Sequence, residues 1–259
     1  MIKIVIFTSN QYRHLAFIDY LSKSSKIKII KTYIEKKNEH KIKQKTLLEK
    51  KYFNERKKYE KKYFSKRNQS VSKKYEIGFI STNKCLNEIK KIKPDLIVVY
   101  GSSIIKGKII KEFKRKIINV HLGLSPYYRG SGTNIFPFIN KELKYVGITF
   151  MYLDSGIDTG EIIHQIRPDI KATDNVHDIG NKLILKMFKY YKKIILNLKK
   201  VKIKKKNFSK KTRFYKKKDF NEKSIKILNK NLKDGLIKNY LIKNKNSSES
   251  IKLIYQNWL

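Results

Sequence analysis

Residues 117–170 follow a different rule from the rest of the chain. The stretch IINVHLGLSPYYRGSGTNIFPFINKELKYVGITFMYLDSGIDTGEIIHQIRPDI carries four basic and five acidic side chains in a protein of formal net charge +41. It also holds six of the eleven glycines and three of the four prolines, the residues that most narrowly dictate where a backbone turns. Elsewhere the composition drifts toward Lys, Ile, Asn, Tyr and Phe. A segment that resists such a drift is held by specific geometry, so the active site is expected here.

The rest of the sequence frames an α/β architecture. Lys3–Thr8 is an apolar run that reads as a strand, His14–Ser22 as a helix, and Ile27–Ile34 as a second strand, a βαβ opening that implies a parallel sheet. Thr82–Ile92 reads as a helix ended by Pro94. Asp95–Tyr100 is a continuous apolar run of the kind buried on both faces. Gly101-Ser102-Ser103 turns into a helix expected over Ile104–Phe113, and Ile117–His121 is the next strand. Tyr145–Leu153 and Glu161–Pro168 form a hairpin around D-S-G-I-D-T-G at Asp154–Gly160. Thr173 or Asp174 should cap a long helix reaching about Leu198.

Lys36–Lys74 holds sixteen basic and four acidic residues, with Leu47, Leu48, Tyr52, Phe53, Tyr59, Tyr63 and Phe64 at roughly helical spacing. It reads as an inserted, exposed basic helix covering a sheet edge, with an acceptor or dimer surface as the alternative. Lys199–Lys218 has twelve basic and no acidic residues and reads as a solvated linker with short strand pieces. Asn221–Leu259 reads as two or three short helices with a loop at Asn246–Ser248. The division expected is a catalytic domain over 1–200, with the insertion at 36–74, and a small helical tail over 201–259.

Two explanations fit the charge: compositional drift toward residues with A/T-rich codons, and a basic surface for a polyanion. Scarcity of Arg, the residue that reads phosphate and base edges bidentately, favours drift, so no specific nucleic-acid partner is expected. No run of about 18 apolar residues is present, so no membrane association is expected. Cys85 is the single cysteine, which excludes an internal disulfide and a C-x-x-C metal site and fits a reducing, cytoplasmic setting. The five histidines show no H-x-x-x-H spacing, and no metal is expected.

Asn119 and His121 stand two apart at a strand end, so both point to one face. An amide there can hold a developing oxyanion, and an imidazole can exchange a proton near neutral pH. Asp158 follows in I-D-T-G. An Asn, a His and an Asp converging on one point suit acyl transfer without a covalent nucleophile.

These motifs in this order, N-V-H at Asn119–His121, P-Y-Y-R-G at Pro126–Gly130, G-I-T at Gly147–Thr149 and D-S-G-I-D-T-G at Asp154–Gly160, resemble the folate-dependent formyltransferase family. That family comprises glycinamide ribonucleotide, methionyl-tRNA and sugar N-formyltransferases, and the polysaccharide-associated enzymes are the nearest in impression. The resemblance implies a Rossmann-like, mostly parallel sheet flanked by helices, with Asn119, His121 and Asp158 as catalytic trio. It implies 10-formyltetrahydrofolate as formyl donor, lying against the strand end and turn with Val98, Tyr100, Gly101, Ile104 and Ile105, and against the loop with Leu153, Asp154, Gly156 and Ile157. The chain departs from the family's H-x-S-L-L-P at Gly123 and Ser125. Its first turn lacks the Gly-rich phosphate cradle of the glycinamide ribonucleotide enzyme, and its tail is short for the tRNA enzyme's β-barrel. A small amine acceptor, nucleotide-linked, is therefore expected. Ser9, Asn10, Gln11 and Arg13 at the first turn, with Tyr128 and Arg129, are its expected contacts, and a second copy of the chain is a candidate partner. Phosphoribosylglycinamide and methionyl-tRNA are the alternatives within the family; a basic RNA-binding protein on the same scaffold is the alternative outside it.

Overall fold

The computed structural model describes residues 1–36, 46–65, 73–203, 212–245 and 251–259. Seven strands form one sheet in the order β3-β2-β1-β4-β5-β7-β8: β1 Ile2–Ser9, β2 Ile27–Glu35, β3 Lys74–Tyr75, β4 Leu96–Tyr100, β5 Ile117–His121, β7 Ile148–Tyr152 and β8 Ile162–Ile166. The first five pair parallel, and β7 runs antiparallel to both β5 and β8. A second, two-stranded parallel sheet joins β6 (Tyr128–Gly130) to β9 (Arg213–Tyr215). The expected mostly parallel sheet flanked by helices is therefore present.

Side-chain alternation divides the core in two. Ile4, Ile6, Leu96, Val98, Tyr100, Ile118 and Val120 face one layer, with helices α1 (Tyr12–Ser22), α2 (Leu47–Phe64) and α6 (Val176–Leu196). Val5, Phe7, Ile97, Val99 and Ile117 face the other, with α3 (Asn83–Ile92) and the short α4 (Lys108–Glu112). Asn119 and His121 share the second face by the period of two along β5. In the first layer Phe17 meets Tyr100, Phe188 and Tyr191 at ring-centroid distances of 5.6, 5.2 and 5.3 Å, within the range of favourable aromatic pairs.

Tyr191 of α6 does more than fill space. Its hydroxyl donates to the Ile118 carbonyl and accepts from the Val99 amide at 3.1 Å. One side-chain hydroxyl thus bridges neighbouring strands, near the end of β4 and the start of β5.

Several expectations need correction. The basic helix is not an edge cover: α2 packs on α1 and α6 and against α7 (Glu222–Lys233), with Phe64 fully buried and Tyr52 6% exposed. Its aromatic stripe is core-forming while its lysines face solvent; the flanking residues 37–45 and 66–72 lie outside the described residues. The helix expected from Ile104 begins only at Lys108, behind Gly107 at φ 79°. The strand expected from Tyr145 starts at Ile148, after a 3-10 turn over Leu143–Tyr145. Asn175, not Thr173 or Asp174, caps α6: its side chain accepts from His177 and Asp178 amides, and Asp178 returns the bond to the Asn175 amide, a reciprocal capping box.

The tail is woven into the domain. β9 pairs with β6, α7 packs on α5 (Phe136–Ile139), and Ile254 and Gln256 bond to β8 through Gln165 and His164. Helix α8 spans Leu236–Lys245. The loop expected at Asn246–Ser248 and most of the basic linker, 204–211, lie outside the described residues.

Candidate active site

The site forms where β5 ends. His121 is buried, with both ring nitrogens engaged: Nε2 lies 2.9 Å from the Tyr128 carbonyl and Nδ1 3.2 Å from Asp158 Oδ1. The carbonyl and the carboxylate can only accept, so in each contact the ring nitrogen is the donor. The other carboxylate oxygen, Asp158 Oδ2, accepts from the Gly130 amide at 2.9 Å. Asp158 is therefore a clamp between β5 and β6. It sits at φ 54°, a left-handed conformation that Asp tolerates better than most residues.

How Asp158 arrives there is a tertiary matter. The β7–β8 turn leaves the sheet level with Ile117, where the Leu153 amide donates to the Ile117 carbonyl at 2.9 Å. The turn then doubles back to meet His121 at the far end of the same strand. Arg129 Nε holds it by donating to the Ile157 carbonyl at 2.9 Å. Asp154 sets its shape, accepting from the Gly156 amide at 3.1 Å and from the Thr159 hydroxyl at 2.7 Å.

The loop after His121 is tied just as closely. Thr149, the last residue of G-I-T, donates to the Gly123 carbonyl at 2.7 Å and accepts from the Ser125 amide at 3.0 Å. A Cβ on Gly123 would stand 2.6 Å from His121 Nε2 and 2.8 Å from Thr133. Glycine where the family pattern has Ser thus leaves His121 room to reach Tyr128. Asn119 is half-buried on the same face, and its amide has no hydrogen-bond partner among the described residues.

Of the residues expected at the donor cleft, Ile105 and Leu153 pack on the face that carries Asn119. Ile104 is 60% and Ile157 39% exposed, two large apolar side chains presented to solvent at the turns flanking the site, and Gly156 is exposed. Gly101, at φ 72°, has no room for a side chain: a Cβ would sit 2.2 Å from His14 Nε2. Val98 and Tyr100 are corrections, since both point into the opposite layer. Val99 pairs with Asn119, so alternation turns its two neighbours away from the site.

At the first turn, Ser9 is buried with its hydroxyl 2.6 Å from His14 Nδ1, and Asn10 is half-buried. Arg13 is 5% exposed and ion-paired with Glu60 of α2, not on an open rim. Tyr128 is a further correction. Its ring is 1% exposed, and its hydroxyl donates to Glu142 and accepts from Asn140; burial, then Glu142, push its pKa up. The backbone carbonyl of Tyr128 serves the site; its ring cannot. Arg129, besides bracing the turn, lies 5.9 Å from the Phe214 ring.

Sequence reasoning missed Glu35. Buried at the end of β2, it accepts from the Gly78 and Ser103 amides at 2.7 Å each and from the Ser103 hydroxyl at 3.0 Å, pinning the turn that presents Ile104. An acidic residue closing an apolar strand at the ligand edge was the available signal. β9 was missed as well: Arg213 donates to the Tyr127 carbonyl and Ser131 to the Tyr215 carbonyl, supporting the loop that carries Tyr128 and Gly130. Among the described residues no cluster of three or more metal-ligating side chains occurs, and no helix is long and apolar enough to cross a membrane.

Comparison with known proteins places this arrangement. The model of the formyl transferase family matches residues 2–195. The chain belongs to the formyl transferase family. Over 100 residues it is 42% identical to the methionyl-tRNA formyltransferase of Alkaliphilus oremlandii, a match covering 38% of this chain and 32% of that protein. It is 39% identical over 106 residues to that of Desulforamulus reducens, covering 40% and 33%. The chain thus spans about a third of the length of these curated relatives. Phosphoribosylglycinamide formyltransferase from Anaplasma phagocytophilum shares the fold at TM-score 0.56 and 16% identity, covering 83% of this chain and 98% of that one. A sugar 3N-formyl transferase solved in the presence of dTDP and 5-N-formyl-THF aligns at TM-score 0.53 and 25% identity, covering 85% and 72%.

Proposed function

We propose that the chain transfers a formyl group from 10-formyltetrahydrofolate to a primary amine, preferentially that of a nucleotide-linked amino sugar. The observation that carries this reading is the clamped His121, held between the Tyr128 carbonyl and Asp158 and two residues from the open amide of Asn119. The donor supplies the formyl group, and this chain's residues fit it. Exposed Ile104 and Ile157 and half-buried Leu153 offer apolar contact to a flat heterocycle, on a turn that Glu35 keeps rigid.

The roles follow from the geometry. Asn119 donates to the carbonyl oxygen as it takes on negative charge, worth about 10²–10³-fold in rate for one such donor. His121 Nε2–H exchanges the Tyr128 carbonyl for that oxygen and becomes a second donor. Asp158 accepts from Nδ1 and so orients the ring, and the proton that the amine gives up passes by way of Asp158 to the folate nitrogen as it departs, a relay worth about 10²–10⁴-fold.

The amino-sugar preference rests on the sugar 3N-formyl transferase neighbour and on the absence of a glycine-rich first turn. Identity to methionyl-tRNA formyltransferases favours a second acceptor, charged tRNA. Incubation with 10-formyltetrahydrofolate and a panel of nucleotide-linked amino sugars, phosphoribosylglycinamide and methionyl-tRNA, followed by folate absorbance and product mass, decides between them. Turnover with no amine at all sinks the reading.

A further inference from the structure

The two sides of the β5 terminus differ. His121 faces the site, and the next residue, Leu122, lines a cavity of about 30 Å³ beside the other layer. Around it stand Arg13 of α1, Tyr52, Arg56 and Glu60 of α2, and His177 and Asn181 of α6. Two guanidiniums face one carboxylate. Glu60 is committed to Arg13, accepting from its backbone amide at 3.3 Å and from its guanidinium, and Gln11 takes another Arg13 donor. His177 adds no compensating charge: burial, then Arg56, hold its pKa down to about 4. Asp178 is occupied by the α6 cap and the Tyr63 hydroxyl.

Donors are left over. Among the described residues, Arg13 Nε and the Tyr52 hydroxyl are buried without a hydrogen-bond partner. Arg56 makes no ion pair or hydrogen bond with the described residues, and burial and Arg13 lower its pKa. Native folds leave few buried donors unsatisfied; Arg56 is half-buried, and a water there would hydrate its charge without neutralising it.

We propose that this cavity is an anion subsite for the acceptor, taking a phosphate oxygen of a phosphate-bearing amine between Arg56, Arg13 Nε and the Tyr52 hydroxyl. The inference rests on the transferase reading. The free space accepts one oxygen-sized group, so the phosphate enters by an edge. Side-chain donors from α2 here replace a backbone cradle, which the first turn, F-T-S-N-Q-Y-R-H, has no glycines to build.

The test is direct binding of inorganic phosphate in chloride-free buffer, by calorimetry and by thermal shift, to wild type, Arg56→Gln, Arg56→Lys, Tyr52→Phe and Glu60→Gln. Phosphate should bind wild type about tenfold or more tightly than Arg56→Gln, given the strength of one charge-assisted bond. Arg56→Lys should fall between, and Glu60→Gln, which removes the competing carboxylate, should bind more tightly than wild type. In turnover, Arg56→Gln should raise the acceptor KM about tenfold while the folate KM moves less than about twofold. Equal phosphate affinity in wild type and a folded Arg56→Gln, or no binding to either, overturns the subsite. Binding is read without turnover, so a protein that transfers to no amine yet binds phosphate through Arg56 refutes the activity and leaves the subsite standing. A protein that formylates amines with Arg56→Gln indistinguishable from wild type does the reverse.

Discussion

His121 and Arg56 lie on either side of one strand end and illustrate opposite ways of placing a polar side chain. Every hydrogen-bonding atom of the His121 ring is accounted for by Tyr128 and Asp158. On the other side, Arg56, Arg13 Nε and the Tyr52 hydroxyl have donors to spare. A group whose orientation decides a reaction gains from a closed set of bonds, because a misplaced proton costs rate. A group that must grip an incoming ligand gains from bonds not yet made. The Asn119 amide, open among the described residues on the His121 side, is the exception to that contrast.

The comparison breaks most sharply on the first side. Asn119→Ala, His121→Ala and Asp158→Ala should each lower turnover by at least about a hundredfold without large loss of folded protein by circular dichroism. Near-normal turnover in a folded His121→Ala protein would remove His121 from the mechanism.

Acid should act next. His177 beside the cavity and His164 under β8 are both held down to about 4, chiefly by burial. A folded-state value below the unfolded one gives stability that is complete above about pH 6.5 and is lost as pH falls through to about 4. Urea unfolding should show that loss, at most about 3 kcal/mol per ring. Phosphate should shrink the part removed by His177→Phe and leave the part removed by His164→Phe unchanged. Flat stability from pH 7 to 4.5 would mean that neither ring is buried neutral.

Two tyrosine hydroxyls sharpen the contrast at smaller scale. Tyr191→Phe deletes a group that bridges β4 and β5, and should cost about 1–3 kcal/mol by leaving buried partners unpaired. Tyr52→Phe deletes one with no hydrogen-bond partner among the described residues, and its stability should change by no more than about 0.5 kcal/mol. If chemical denaturation finds the two equal, an unseen partner already occupies the cavity.

Much of the fold was legible because apolar strands leave local marks. The apolar runs of β1, β4 and β5 matched the sheet within a residue or two, and the spacing of Asn119 and His121 placed both on one face. Failures came where a local signal had two readings. The aromatic stripe of α2 marked a buried face as well as it could have marked an exposed one. Tyr128 looked like an offered ring, and only Glu142 and Asn140, packed around its hydroxyl, show it to be core.

What the sequence by itself determined is the order of the main strands and helices, the trio's residue types and the turn around Asp154–Gly160, because periodicity and turn chemistry act over a few residues. Only the tertiary structure decided that Val98 and Tyr100 face away from Asn119, that the turn doubles back to bring Asp158 to His121, and that Glu60 reaches Arg13 from α2. Each depends on register between strands or packing between layers, set by contacts between residues tens of positions apart, which no local pattern contains.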